Sequence, residues 1–383
     1  MDAATWKSAQ ASTEPREWRN ALRFSLVEHR HYLVYCGYYL LTAWLMLTLR
    51  VGNATELLAR NISDLAYAVF LPVVVTLLLW LTVQCLRHRK FDLGHLAAEG
   101  RRTGLLEPTR VARVLPVLAT LPFILGTFLS TKVQIGHLQN FEYDGPIIRM
   151  TTHLIGGKPA WTYFEGLFDH PWAIVALDDL YYLWFPVLCA TFVWRMFSFR
   201  DPHLRLQFLL TIAVCWGVVG SFAAIAFPSA GPAFLPHLWD GPTPYDGLLE
   251  HLGNLQRAGY DLTSQRVQSM LWNLYASGST IGGSGISAMP SLHVTMAAVL
   301  AIYGWRLGRV AGAAYTVFAL LIFLGSIMLA FHYALDGMVG AAIAAVVWKG
   351  AGKLADLAHP RAVVMSGDAG PARNRFASSC TSI

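Results

Sequence analysis

Eight apolar runs divide the chain, at residues 32–50, 66–86, 111–130, 174–195, 207–227, 290–308, 311–331 and 334–350. Most approach or exceed the roughly 20 residues a helix needs to cross a bilayer, and the last is the shortest. The pattern predicts an all-α polytopic integral membrane bundle of about eight transmembrane helices. On one side of the predicted membrane the connections are short apart from 87–110. On the other, 131–173 and 228–289 are long, and long loops in compact folds are usually functional or disordered. Within the second, Leu248, Leu249, Leu252 and Leu255 follow helical spacing, as do Val267, Met270, Leu271 and Leu274. Both stretches predict amphipathic helices that either roof a site at the membrane edge or cover apolar surface.

Composition agrees with this reading. The 383 residues are 55% hydrophobic and 14% charged, with a mean hydropathy of +0.44, whereas soluble domains carry about 25% charged residues. With the N-terminus inside, only Arg50, Arg60, Lys132, Arg149, Lys158, Arg257 and Arg266 of the 29 basic residues fall in outer segments. The positive-inside rule therefore predicts that both termini are cytoplasmic. The net charge of +6 then reports topology and attraction to anionic lipid, and implies no nucleic acid. Residues 1–31 are polar and mixed in charge, which predicts no cleavable signal peptide. Cys36, Cys85, Cys189, Cys215 and Cys380 show neither a disulfide framework nor metal-ligand spacing. Asn53-Ala-Thr55 and Asn61-Ile-Ser63 match the glycosylation sequon, a motif common by chance.

Candidate chemistry gathers at the ends of the last three runs. Met289-Pro-Ser-Leu-His293 opens the sixth, and His332-Tyr-Ala-Leu-Asp336 joins the seventh to the eighth. If each run crosses in turn, His293, His332 and Asp336 share one face, the extracytoplasmic one. Ionisable groups near lipid are expensive and mark function. In a helical 332–336 segment the carboxylate meets the imidazole at i,i+4, fixing its tautomer and leaving the other ring nitrogen free. Pro290-Ser291 is a helix start, with Ser291 as its cap. The preceding small-residue run contains Gly283, Ser284 and Gly285, whose backbone could cradle an anion. Asp178 and Asp179 either complement a helix dipole or bind a hydroxylated headgroup; Tyr181, Tyr182 and Trp184 have a plain reading as interfacial aromatics. Two histidines and a carboxylate could also hold a metal, but His137, His153, His170, His237 and His251 show no supporting spacing. No metal or cofactor is expected.

The Pro290-Ser-Leu-His293 and His332-x3-Asp336 segments resemble the second and third motifs of the phosphatidic acid phosphatase type 2 superfamily. More closely, they resemble its inositol phosphorylceramide synthase branch. Phe227-Pro-Ser-Ala-Gly-Pro232 is similar to that branch's Pro-rich turn, and Asp178-Asp-Leu-Tyr-Tyr182 to its first motif. The resemblance implies a six-helix catalytic core at 111–350. Around it would lie a cytoplasmic segment (1–31), two further helices with a loop (32–110) and a disordered cytoplasmic tail (351–383). It also implies that His332 is the nucleophile on phosphorus, Asp336 its orienter and His293 the acid–base group, with Tyr182, Asp178, Asp179 and the Gly/Ser segment near substrate.

One departure is informative. Phosphatase members carry Ser-Arg shortly before the third-motif His and Lys-x6-Arg-Pro in the first motif. Here the pair is Gly325-Ser326 and the Lys/Arg motif is absent. Backbone N–H groups around Gly282–Gly285, hydroxyls of Ser279, Ser284 or Ser291, or Lys132, Arg149 or Lys158 must then neutralise the phosphate. The expected activity is transfer of a phosphate-linked headgroup from a phospholipid donor to a lipid or polyol acceptor. Its alternative is hydrolysis on the same fold. A transporter would concentrate polar groups at mid-membrane, where these spans are almost wholly apolar.

Overall fold

The computed structural model describes residues 17–51, 53–64, 108–279 and 285–359. Among them the regular structure is helical, without strands. The expected second span, 66–86, lies outside the described residues. The principal helices are α1 (Arg30–Val51), α2 (Pro108–Leu138), α3 (Asp144–Leu154), α4 (Pro171–Tyr182), α5 (Trp184–Phe197), α6 (Pro202–Gly217), α7 (Asp246–Arg257), α8 (Thr263–Ala276), α9 (Leu292–Leu307), α10 (Arg309–Met328) and α11 (Ala334–Ala358). Among the described residues, six helical stretches are long and apolar enough to cross a membrane: α1, α2, α4 continued by α5, α6 continued to Ala226, α10 and α11. The 16-residue α9 is apolar but shorter. This is a polytopic helical membrane protein.

Two span boundaries differ from expectation, and both matter for the site. The third span was expected to end at 130, but α2 continues through Leu138. The buried side chains of Ser130, Thr131, Val133, Gln134 and Ile135 keep its last turns packed on the protein. The eighth span, expected to be the shortest, is the 25-residue α11. Its buried positions Gly337, Gly340, Ala344, Ala351 and Ala355 form a stripe of small residues. Apolar side chains gain little by leaving lipid for one another, so such stripes drive association through close backbone approach. A Cβ on Gly340 would strike Thr295 Oγ1 and the Ser291 carbonyl of α9. That contact seats the start of α11 against the start of α9.

Packing forms two main apolar clusters. One joins α1, α2, α5, α6, α9 and α11. The other lies toward the histidine end and includes Trp161, Ile174, Leu177, Leu248, Leu252, Leu255, Val294, Ile327 and Leu335. At the opposite end the buried Glu28 pairs with Arg113 and Arg205, each at 3.3 Å. Helix α6 passes into a π-helical turn at Val218–Ala223, a feature that frequently marks functional sites. There Ser221 bonds both Tyr39 of α1 and Thr131 of α2, each at 2.6 Å. Asn61 of the second sequon is buried and donates to Ser130; in this fold it offers no acceptor for a glycan.

Candidate active site

The segment Phe227–Pro232 ties the site together. Ser229 receives the N–H of Ala288 at its carbonyl (2.8 Å) and that of Met289 at its hydroxyl (2.9 Å). Ala233, just past the turn, donates to the Ala330 carbonyl at 2.9 Å. One turn thus holds the extended segment entering His293 and the loop entering His332. Gly231 makes this possible. Its φ is +98° and an added Cβ would meet the Phe331 carbonyl, so a side chain would be strained on two counts.

The turn is anchored in its own right by Asp144, at the start of α3. The carboxylate accepts from Ala230 N (2.8 Å), Gly231 N (2.9 Å) and the Tyr333 hydroxyl (2.7 Å). Burial pushes the Asp144 carboxyl above its ordinary range, and these three bonds pull the other way. The Tyr333 hydroxyl, buried beside that carboxylate, is held far above its usual range and remains a donor.

Tyr333 is also the N-cap of α11, and its N–H donates to Asp336 Oδ2 at 2.9 Å. The same oxygen stands 3.4 Å from His332 Nδ1, with the two side chains 0% and 7% exposed. That separation exceeds a good hydrogen bond, but catalytic contacts are often long before substrate binds. The i,i+4 spacing read from the sequence therefore brings the pair together, although the continuous helix begins only at Ala334. The loop before it is pinned by His332 N to Ser326 O (2.9 Å) and by Gln268 Nε2 of α8 to Leu329 O (2.7 Å).

His293 occupies the first turn of α9, whose cap Ser291 accepts from Val294 N. Ser291 N donates to Asp336 O at 3.1 Å, joining the two helix starts. The His293 ring stacks on Tyr181 with centroids 5.0 Å apart and meets the edge of Trp184 at 4.4 Å. Tyr181 in turn stacks on Phe331 at 5.3 Å. Tyr181 and Trp184, read above as plain interfacial aromatics, instead fix the orientation of His293. The centroids of His293 and His332 are 6.2 Å apart.

Both rings line a cavity of about 140 Å³, bounded also by Lys132, Tyr182, Gly285, Ser287 and apolar residues including Phe128, Gly220 and Leu292. Val267 and Leu271 of α8 close it, so that helix does roof the cavity, while α7 buries Leu248, Leu252 and Leu255 against the second cluster. The other expected residues separate. Gly283 and Ser284 lie outside the described residues. Ser291 is buried and engaged as a cap. Asp178 accepts from Thr263 N (2.7 Å) and Ser264 N (3.1 Å), capping α8 from α4, and Asp179 is exposed. Neither aspartate lines the cavity, nor do His137, His153, His170, His237 and His251. Among the described residues, no three His, Cys, Asp or Glu side chains gather as metal ligands.

Residues 147–349 match the profile of the PAP2 superfamily, which is more than half of the chain. The chain belongs to the PAP2 superfamily. Membership places it among lipid phosphatases and phosphotransferases. No curated protein and no solved structure matches it. The matched segment begins in α3 and ends in α11, so it contains both histidines, Asp336 and the Pro-rich turn. Asp144 and Lys132 precede it. Nothing local in the sequence marks Asp144 as an anchor, since its partners are 86 to 189 residues away. In this PAP2 protein Ser326, where phosphatase members carry Arg, is buried and donates to Phe323 O of its own helix. It places no cation in the cavity.

Proposed function

We propose that this protein transfers a phosphate-linked headgroup from a phosphodiester phospholipid to a lipid or polyol hydroxyl, in the manner of the inositol phosphorylceramide synthase branch. The reading rests on one observation: His293 and His332 face a single cavity, with the buried Asp336 behind the Nδ1 of His332. Asp336 holds that nitrogen as the protonated one, leaving Nε2 to attack phosphorus. An N–P bond forms as the P–O bond to the diacylglycerol breaks, and His293 protonates the departing oxygen. Neutral His293 then removes the acceptor's hydroxyl proton; the acceptor oxygen bonds to phosphorus, the N–P bond breaks and His332 is restored. Water in place of the acceptor would give hydrolysis. The uncharged Ser326 position favours transfer, because a site without the Arg grips free phosphate weakly.

Incubating purified protein with a labelled phosphodiester phospholipid, with and without ceramide or diacylglycerol, separates the readings. Acceptor should speed donor consumption and divert label from free headgroup phosphate to a new phospholipid. Phosphatidic acid as fastest substrate, with no acceptor effect, would replace transfer by hydrolysis.

The site is proposed to face the extracytoplasmic side, on the distribution of basic residues. In a cysteine-free background, Asp240→Cys should react with an impermeant maleimide added to intact cells, and Leu307→Cys, at the far end of α9, should not. The reverse pattern would put the chemistry in the cytoplasm.

A further inference from the structure

The cavity contains a cation that the motifs do not account for. Lys132 was one of three lysine and arginine candidates in the outer segments by sequence. The extension of α2 to Leu138 carries it into the cavity wall instead, on the same cavity as His293 and His332. Arg149 and Lys158 are exposed and do not line the cavity. The Lys132 ammonium lies over the ring of Phe128, one helical turn back, at 5.6 Å. No carboxylate lines this cavity, and among the described residues no ion pair engages Lys132. An ammonium enclosed among apolar side chains without a counter-charge is costly, and a cavity of this kind is relieved by an anion.

The backbone is built around the same residue. A Cβ on Gly285 would overlap the carbonyl of Lys132, so only glycine lets the 285–290 segment lie against this turn of α2. That segment leads directly into His293. The cation and the acid–base candidate are thus held by one contact rather than by independent elements. Lys132 also lies before residues 147–349, the part of the chain the family profile covers.

We propose that Lys132 binds the phosphoryl oxygens of the lipid donor and, as the sole lysine or arginine lining the described cavity, matches it to singly charged phosphodiesters over doubly charged phosphomonoesters. This rests on the transfer function proposed above. A phosphodiester carries one negative charge, which the ammonium balances, while the charge of protonated His293 passes with its proton to the departing oxygen. A phosphomonoester carries about 1.5 to 2 at pH 7, and the excess would be stranded among Phe128, Val219, Leu292 and Phe331, where an uncompensated charge is strongly disfavoured.

The test compares kcat/KM on a labelled phosphodiester phospholipid and on phosphatidic acid, in purified wild type, Lys132→Met, Lys132→Arg, Val267→Lys and His332→Ala, each checked for folding by its thermal midpoint. Lys132→Met should lose roughly 10- to 100-fold on the phosphodiester, the scale of one charge-assisted hydrogen bond, and Lys132→Arg should keep most of the activity. Val267→Lys adds a second ammonium from the α8 roof while leaving Lys132 in place. It should shift the rate ratio toward phosphatidic acid about tenfold and strengthen inhibition by vanadate. Lys132→Met within threefold of wild type, with His332→Ala inactive, overturns the role of Lys132 and leaves the transfer reading standing. An unchanged ratio in Val267→Lys overturns the charge matching, whatever the state of Lys132→Met. Activity persisting in His332→Ala strikes at the underlying reading instead.

Discussion

Replacing His332 with alanine is expected to reduce turnover at least about a thousandfold, with membrane insertion and folding retained. The imidazole is proposed to form the bond to phosphorus, and no other nucleophile lines the cavity with a carboxylate behind it. His293→Ala should fall by roughly 10²–10⁴, the usual range for a general acid–base group. Asp336→Asn should also be severe, because it removes the charge opposite Nδ1 and leaves a single amide oxygen to face both His332 Nδ1 and Tyr333 N. Groups that act as a unit lose activity non-additively. The double histidine variant should therefore be no slower than the worse single one. Turnover assays on purified variants, with labelled enzyme sought after a short pulse of headgroup-labelled donor, check both statements. More than about a tenth of wild-type activity in His332→Ala would remove it as nucleophile.

The second large effect should come from a residue that touches no substrate. Asp144→Ala would leave Ala230 N, Gly231 N and the Tyr333 hydroxyl without their acceptor. Each buried donor left unpaired costs about 1–3 kcal/mol, enough together to lower the thermal midpoint markedly. The Pro-rich turn would be released from Tyr333, and with it the relation between the two histidine-bearing segments. Turnover should fall by about a hundredfold or more, a positional loss of the kind that small misplacements of reacting groups produce. Tyr333→Phe removes one of the three bonds and leaves both backbone contacts, so it should keep most of the stability while slowing turnover. A midpoint and a rate both unchanged in Asp144→Ala would refute the anchoring role.

Much of the fold was legible because lipid imposes one requirement on every span. Apolar runs of the right length must be helices, and α1, α6, α9 and α10 lie close to where hydropathy puts them. The ends of α2 and α11 were misjudged for a common reason. Hydropathy reports where lipid contact stops, and both helices go on past that point packed on protein. That misjudgement left Lys132 as one of three loop candidates, since a loop assignment does not single it out from Arg149 and Lys158.

The pairing of His332 with Asp336 was legible because both partners lie within one turn's reach, and local spacing alone decides such contacts. The meeting of His293 with His332 followed from the alternation of spans. The sequence by itself thus determined a helical membrane bundle, its family and the three residues on which a phosphoryl-transfer reading rests. Only the tertiary structure decided what those residues stand against. It turned Asp178 into a cap for α8, brought Tyr181 and Trp184 onto His293, joined Asp144 to a turn and a tyrosine far along the chain, and set Lys132 in the cavity wall. Each of these contacts spans dozens of residues or more, apart from those within one helix turn, and depends on how helices pack. Packing of that kind is set by the summed shape of many side chains, which no local pattern in the chain encodes.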